Sequence, residues 1–217
     1  YNEAGQLSQV VQPNGGMIRF AYDAKGQLLE TKDPEGNIWK QSYDLNGNVI
    51  EQIDPLERTT KFKYNDEGQV VEVIDAKGGI KKLQYNDLGQ MTAFSDCSGK
   101  TSSWEYNAEG QLIAETSAEG QKVQYQYSQQ GRDNGQLKTV IYPDGLKETF
   151  ERDQEGRLLK HLDTQGQATQ YVYNQLGLLQ QRIDANQHQI GYFWDRAGRR
   201  SKLSNQNRAE YQFHYNQ

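Results

Sequence analysis

Hydrophobic and polar positions along the chain follow two nested rhythms. Over short distances they alternate: Phe20 and Tyr22, Phe62 and Tyr64, Trp104 and Tyr106, and Tyr171 and Tyr173 are each two apart. Alternation of this kind sets the large side chains on one face of a β-strand and the intervening ones on the other. Over longer distances the whole pattern returns every 21 residues. Tyr1, Tyr22, Tyr43, Tyr64, Tyr85, Tyr106 and Tyr127 keep that interval, which lengthens to 25 before Arg152 and returns to 21 at Tyr173, Trp194 and Tyr215. A fixed period of this length marks a repeat architecture, in which each unit is one supersecondary element stacked on its neighbours.

One repeat, Tyr22 to Ser42, shows how the element is made. After the anchor comes Asp23-Ala24-Lys25-Gly26, and ten residues later Asp33-Pro34-Glu35-Gly36. Each quartet has Asx first and Gly fourth, which suits a type I turn followed by a residue in the left-handed region. The first-quartet glycines Gly26, Gly47, Gly68, Gly89, Gly110, Gly156, Gly177 and Gly198 each stand four residues after an anchor. Pro13, Pro34, Pro55 and Pro143 all take the second place of the second quartet, where a locked φ fits and a missing N–H is harmless. Two turns per repeat leave two segments of about six residues, a typical strand length. The expected fold is therefore all-β, a meander of antiparallel β-hairpin repeats running over residues 1–217 as one array. A loop insertion is expected at 131–135.

Each repeat's first strand opens on an apolar residue: Leu7, Leu28, Val49, Val70, Met91, Leu112, Leu137, Leu158 and Leu179. The second strand carries Phe20, Gln41, Phe62, Leu83, Trp104, Tyr125, Phe150, Tyr171, Tyr192 and Phe213 two residues before the anchors. Two aromatic columns should thus share one face. The other face should carry Arg19, Lys40, Lys61 and Lys82 in one column and Glu30, Glu51 and Glu72 in another, alternating in sign.

Composition sharpens this picture. Only 34% of the 217 residues are hydrophobic and mean hydropathy is −1.00. That would permit disorder, but disordered segments have no reason to phase their aromatics. It also leaves too little apolar surface for a second layer over the aromatic face, so that face is expected to meet something else. The net charge of −5, with mixed signs, argues against nucleic acid as a partner. A lone cysteine, Cys97, excludes an internal disulfide framework. No apolar run is long enough for a membrane-spanning helix, and no signal peptide opens the sequence. Both ends are expected to be cut from a longer array.

Candidate chemistry is sparse. His161, His188 and His214 occupy different offsets within their repeats and are expected to be surface histidines, with no metal site. Cys97 takes a turn position with no histidine near it in sequence. Asp33, Asp54, Asp75, Asp96, Asp163 and Asp184 recur as turn formers, too far apart to make a calcium array. No phosphate loop or serine elbow is present. No enzyme and no cofactor are expected. The candidate residues are instead the repeat anchors: Tyr22, Tyr43, Tyr64, Tyr85, Tyr106, Tyr127, Tyr173 and Trp194, with the eight first-turn glycines.

The string from Tyr22 to Asn37, YDAKGQLLETKDPEGN, resembles the YD repeat of the Rhs (rearrangement-hotspot) family, and the resemblance extends over all ten repeats. Departures are Arg152 at an anchor, and Glu57, Gln187 and Arg208 in place of a second-turn glycine. The resemblance implies a long β-sheet spiral closed as a hollow shell around a toxin domain carried C-terminally on the same polypeptide. It implies a bacterial polymorphic toxin used in competition or virulence, secreted or delivered by a secretion apparatus. Partners would be the remaining repeats, the enclosed toxin and components of that apparatus. A related barrel in animal teneurins serves cell-surface adhesion. The rival reading is therefore an adhesion or carbohydrate-binding module, against which stand Trp39, Trp104 and Trp194 at three different offsets, unlike a repeated sugar cage.

Overall fold

The computed structural model describes residues 1–129, 135–207 and 209–215, and those residues form strands and turns without a helix. They divide into two compact units. The first unit, Tyr1–Trp104 with Ser117–Glu119, holds β1 (Gln9–Val11), β2 (Met17–Tyr22), β3 (Leu28–Lys32), β4 (Ile38–Tyr43), β5 (Val49–Ile53), β6 (Thr59–Tyr64), β7 (Val70–Ile74), β8 (Ile80–Tyr85), β9 (Met91–Ser95) and most of β10 (Thr101–Tyr106). The second unit, from Glu105 to Thr116 and onward from Gly120, holds β11 (Leu112–Thr116), β12 (Lys122–Tyr127), β13 (Leu137–Ile141), β14 (Lys147–Arg152), β15 (Leu158–Leu162), β16 (Ala168–Tyr173), β17 (Leu179–Ile183), β18 (Gln189–Trp194), β19 (Arg200–Asn205) and β20 (Glu210–Gln212). Within each unit every strand pairs antiparallel with its successor, which is the meander of hairpins that the 21-residue pattern predicts.

Both turns of a repeat have one geometry. In the first, Gly26 N–H donates to the Asp23 carbonyl at 3.1 Å and Asp23 N–H to that of Gln27 at 2.9 Å. Gly26 sits at φ 87°, so this is a type I turn closed by a left-handed residue, and a bulge follows as ladder pairing steps from Ala21↔Glu30 to Tyr22↔Leu28. The Asp23 carboxylate accepts from the N–H groups of both Lys25 and Gln27, each at 2.8 Å. The second turn repeats the arrangement at Asp33–Asn37 but has no bulge after it. Such bonds favour the ionised side chain. The Asn48 amide and neighbouring backbone N–H groups hold Asp44 below the ordinary carboxylate range, and the N–H groups of Gly79 and Lys77 do the same to Asp75.

Bulges on alternate turns make the pairing itself alternate. After the second turn, β3 and β4 pair through three residues each, Lys32↔Ile38 to Glu30↔Lys40. After the first turn, β4 and β5 pair from Lys40↔Ile53 to Tyr43↔Val49. The second strand of a repeat, as in β4, is therefore laddered to one neighbour over one end and to the other neighbour over the other end, while a first strand such as β5 pairs with both neighbours through the same residues, Glu51 to Ile53. Ser128 N–H to the Gln136 carbonyl, and Gly135 N–H to that of Ser128, close the ends of the longer loop at 2.9 Å each. The expected insertion at 131–135 otherwise lies outside the described residues, as does Arg208.

Opposite residues in these registers share a face. One face carries Glu30↔Lys40, Glu51↔Lys61 and Glu72↔Lys82, so the two charge columns do alternate in sign. Lys63 meets Glu72 at 2.7 Å and Lys61 meets Glu51 at 3.6 Å, pairs of an exposed lysine with a half-buried carboxylate that each contribute about 1 kcal/mol or less. The other face carries the aromatic columns. There is almost no buried core: among the described hydrophobic residues only Ala114 (3%) and Val140 (7%) are closed off from solvent.

Glu57 and Gln187 take the left-handed place of a turn glycine at φ 60° and 65°. An L-residue there costs about 1–2 kcal/mol, partly offset by the greater unfolded-state entropy of glycine. Glu57→Gly should raise the unfolding free energy in urea by about 0.5 kcal/mol. Gly68→Val, which forces a β-branched side chain to φ 78°, should lower it by about 2 kcal/mol. An unchanged urea midpoint for Gly68→Val would contradict this turn geometry.

Candidate functional site

The anchors lie where the ladder has run out. In the β3–β4 hairpin the last pair before the open end is Glu30↔Lys40, leaving Leu28 and Tyr43 outside it. The Tyr43 hydroxyl crosses that gap and donates to the Leu28 carbonyl at 2.8 Å. The same bond, always to the residue fifteen positions earlier, joins Tyr22 to Leu7, Tyr64 to Val49, Tyr85 to Val70, Tyr127 to Leu112 and Tyr173 to Leu158, at 2.7–3.0 Å. Trp194 makes it with its indole Nε1–H, to the Leu179 carbonyl at 2.7 Å. Tyr106 is half-buried at the end of β10. The acceptors are the residues that open each first strand, so an anchor satisfies a backbone carbonyl that no ladder reaches. The eight first-turn glycines beside these bonds have φ between 75° and 92°.

Arg152 is the exception. Its Nη1 donates to the Gly156 carbonyl at 3.3 Å, while Nε is the one buried side-chain donor without a partner among the described residues. A guanidinium cannot reproduce the single, directed donor of a phenol, and here it leaves one N–H unsatisfied.

A second column escaped notice in the sequence although it recurs as plainly: the residue after each first-turn glycine. Gln69 reaches the carbonyl of Gly89, in the next first turn, at 3.0 Å, and Gln111 reaches that of Gly135 at 2.7 Å. Where this residue is arginine it binds its own turn carboxylate and covers the next anchor. Arg157 meets Asp153 at 2.6 Å and lies 5.0 Å from the Tyr173 ring centroid; Arg199 meets Asp195 at 2.8 Å and lies 4.8 Å from that of Tyr215. Gln69 and Gln111 thus staple their turns to the following one, and Arg157 and Arg199 tie theirs to the following anchor.

The histidines differ from expectation in one case. His188 pairs with the turn carboxylate of Asp184 at 3.2 Å, and His214 is exposed. His161, expected at the surface, is instead three-quarters covered on the aromatic face. It stacks on Phe150 with ring centroids 4.9 Å apart, and Nε2 lies 3.2 Å from Glu148 Oε2. Glu148 also accepts the Tyr142 hydroxyl at 3.1 Å, and Glu115 accepts that of Tyr125 at 2.7 Å. Phe150 opposes His161 in the β14–β15 register, a pairing fixed by the bulge and so invisible in residue spacing. Burial, then the Glu115 bond, push the Tyr125 phenol up to about 12. No three His, Cys, Asp or Glu side chains among the described residues are placed to hold a metal ion.

Against known proteins, the family profile described as Teneurin YD-shell matches residues 17–142 and 54–167, and the one described as RHS Repeat matches 152–189. No curated protein matches the chain. Among solved structures the chain is similar to TcdB2-TccC3-TEV, at 14% identity and a TM-score of 0.47 over 91% of this chain and 15% of that one. It is similar to the Photorhabdus luminescens Tc holotoxin pore at 16% identity and 0.42, over 91% of this chain and 14% of that one. It is also similar to a porin-like protein from Bacteroides uniformis, at 13% and 0.31, over 94% and 91%. The chain spans about one-seventh of the two toxin chains.

Two measurements test the geometry. Tyr64→Phe should lower the unfolding free energy by about 1 kcal/mol through loss of the bond to Val49, and Arg152→Tyr should raise it by a similar amount; equal stability of Tyr64→Phe and the parent would remove the anchors' role. Because the Tyr125 pKa is raised in the folded state, its contribution is present below about pH 10 and lost as pH rises through about 12. Urea titrations across that window should show a steeper alkaline loss of stability in the parent than in Tyr125→Phe.

Proposed function

The chain belongs to the teneurin YD-shell family, and from that premise we propose that it is a non-catalytic wall segment of a hollow β-shell that confines a toxin domain. The observation that carries the reading is a sheet with two unlike faces and almost no core of its own. An array that closes off only Ala114 and Val140 among its described apolar residues does not complete a globule by folding. It makes a surface, and the aromatic side of that surface gains stability only when something is held against it.

The chemistry of a wall follows from the pairing. Interior strands pair with a neighbour on both sides, which leaves little free edge within a unit to a protease or to another strand. The anchor tyrosines and first-turn glycines are structural in this reading: they close the ends that the ladder leaves open and permit the turns that bring the next strand back. Residues 1–217 act as one array, continued by further repeats of the same polypeptide, with the toxin carried C-terminal to them. The partners are then the enclosed toxin and the apparatus that exports the whole. The setting is a bacterial cell that secretes or delivers it. Supporting this are the match of residues 152–189 to the RHS Repeat profile and the shell family of the longer stretch.

Limited proteolysis of the full-length protein tests confinement. The region C-terminal to the array should resist protease while the repeats are folded and be degraded once they are unfolded by urea. Immediate cleavage of that region in the folded protein would show that the array encloses nothing, and adhesion at a cell surface would replace confinement.

A further inference from the structure

One member of the aromatic column is polar, and its position opens a trough in the first unit. The place two residues before the anchor is held by Phe20, Phe62, Leu83 and Trp104 in the neighbouring repeats but by Gln41 in β4. The Gln41 amide turns along its own strand and donates to the Tyr43 hydroxyl at 2.6 Å. Across the sheet Gln41 faces Gln52, Gln52 faces Thr60, and Thr31 faces Trp39. With no large apolar group there, a space of about 720 Å³ remains, walled on one side by Trp39, which is 43% exposed. On the other side stand Arg58, held by Asp54 at 2.6 Å, and the turn from Asp75 to Lys77.

We propose that this trough binds a neutral saccharide, with Trp39 as the stacking platform and the amides of Gln41 and Gln52 as its hydrogen-bonding floor. Three properties point to that chemistry. Its size is that of a small-molecule site, in the range of about 300–1,000 Å³. The charges around it are balanced, with carboxylates Asp54 and Asp75 set against cations Arg58 and Lys77, so an ionic ligand would meet no unmatched charge. The floor is polar and open: the Gln52 amide and the Thr31 and Thr60 hydroxyls have no hydrogen-bond partner among the described residues. An apolar peptide covering them would leave those groups desolvated and unbonded. A pyranose answers both halves, with a C–H face for the indole and a rim of hydroxyls for amides and threonines. The site occurs once, because only this repeat combines a polar column residue with a tryptophan two positions before it. It is independent of whether the array encloses a cargo.

The test is titration of the purified protein with maltotriose, cellotriose and triacetylchitotriose, read by NMR from the three indole N–H signals. At least one sugar should shift the Trp39 signal saturably, with a Kd on the order of 1 mM or tighter. Trp39→Ala should weaken binding about tenfold or more. Gln41→Phe keeps Trp39 but refills the column, and should abolish binding while the far-ultraviolet circular dichroism stays that of the parent. No Trp39 shift with any of the three sugars at about 10 mM overturns the proposal, as does undiminished binding by Gln41→Phe.

Discussion

A single-layer sheet must hold its strands together without a core to press them into place, and the bond from the tyrosine and tryptophan anchors to carbonyls fifteen residues earlier is what meets that constraint. Ladder pairs alone do not suffice, because the pairing across each second turn, as between β3 and β4, ends after three residue pairs. The open ends would leave carbonyls such as those of Leu28 and Val49 to water, and the strands free to part. A phenol on the second strand reaches across, donates one proton and lays its ring over the gap. Each bond adds only about 1 kcal/mol. An array sums such terms repeat by repeat, so a modest interaction made regularly takes the place of a packed interior.

The two faces and two edges then take different tasks. Alternating Glu and Lys across the register keep one face hydrated. The other face concentrates the rings, and the first-turn edge carries the glutamine and arginine staples. Arg157 and Arg199 show one residue doing three things: completing a turn, pairing a carboxylate and covering the next anchor's ring.

What could be read in the sequence was whatever is decided within a few residues. The turn quartets, the strand lengths and the alternation of faces are local, and they reappear in the structure nearly residue for residue. The anchors could be seen as a column, but not the carbonyl each one grips. That acceptor is settled by where the bulge falls and which neighbour a strand pairs with at which end. The same reason hid the contact of His161 with Glu148, thirteen positions back, and led to the expectation of a surface histidine. The glutamine column was visible and went unused because an exposed Gln beside a turn carries no signal until its target, the next turn's carbonyl, is known.

In an array of near-identical units the informative residues are those that break their unit's own rule. Glu57 and Gln187 break it at a turn and take a strained φ, which is a local cost with a local remedy. Arg152 breaks it at an anchor and leaves a buried N–H without a partner, in the repeat that follows the longer loop. Gln41 breaks it in the aromatic column, and the result is of another kind: its amide is bonded, its φ is ordinary, and the space it vacates is bordered by an indole and by balanced charges. Strain and orphaned donors are what drift produces in a repeat. A departure that costs no bond and creates a lined cavity is what a binding site requires, and that difference separates Gln41 from the other exceptions.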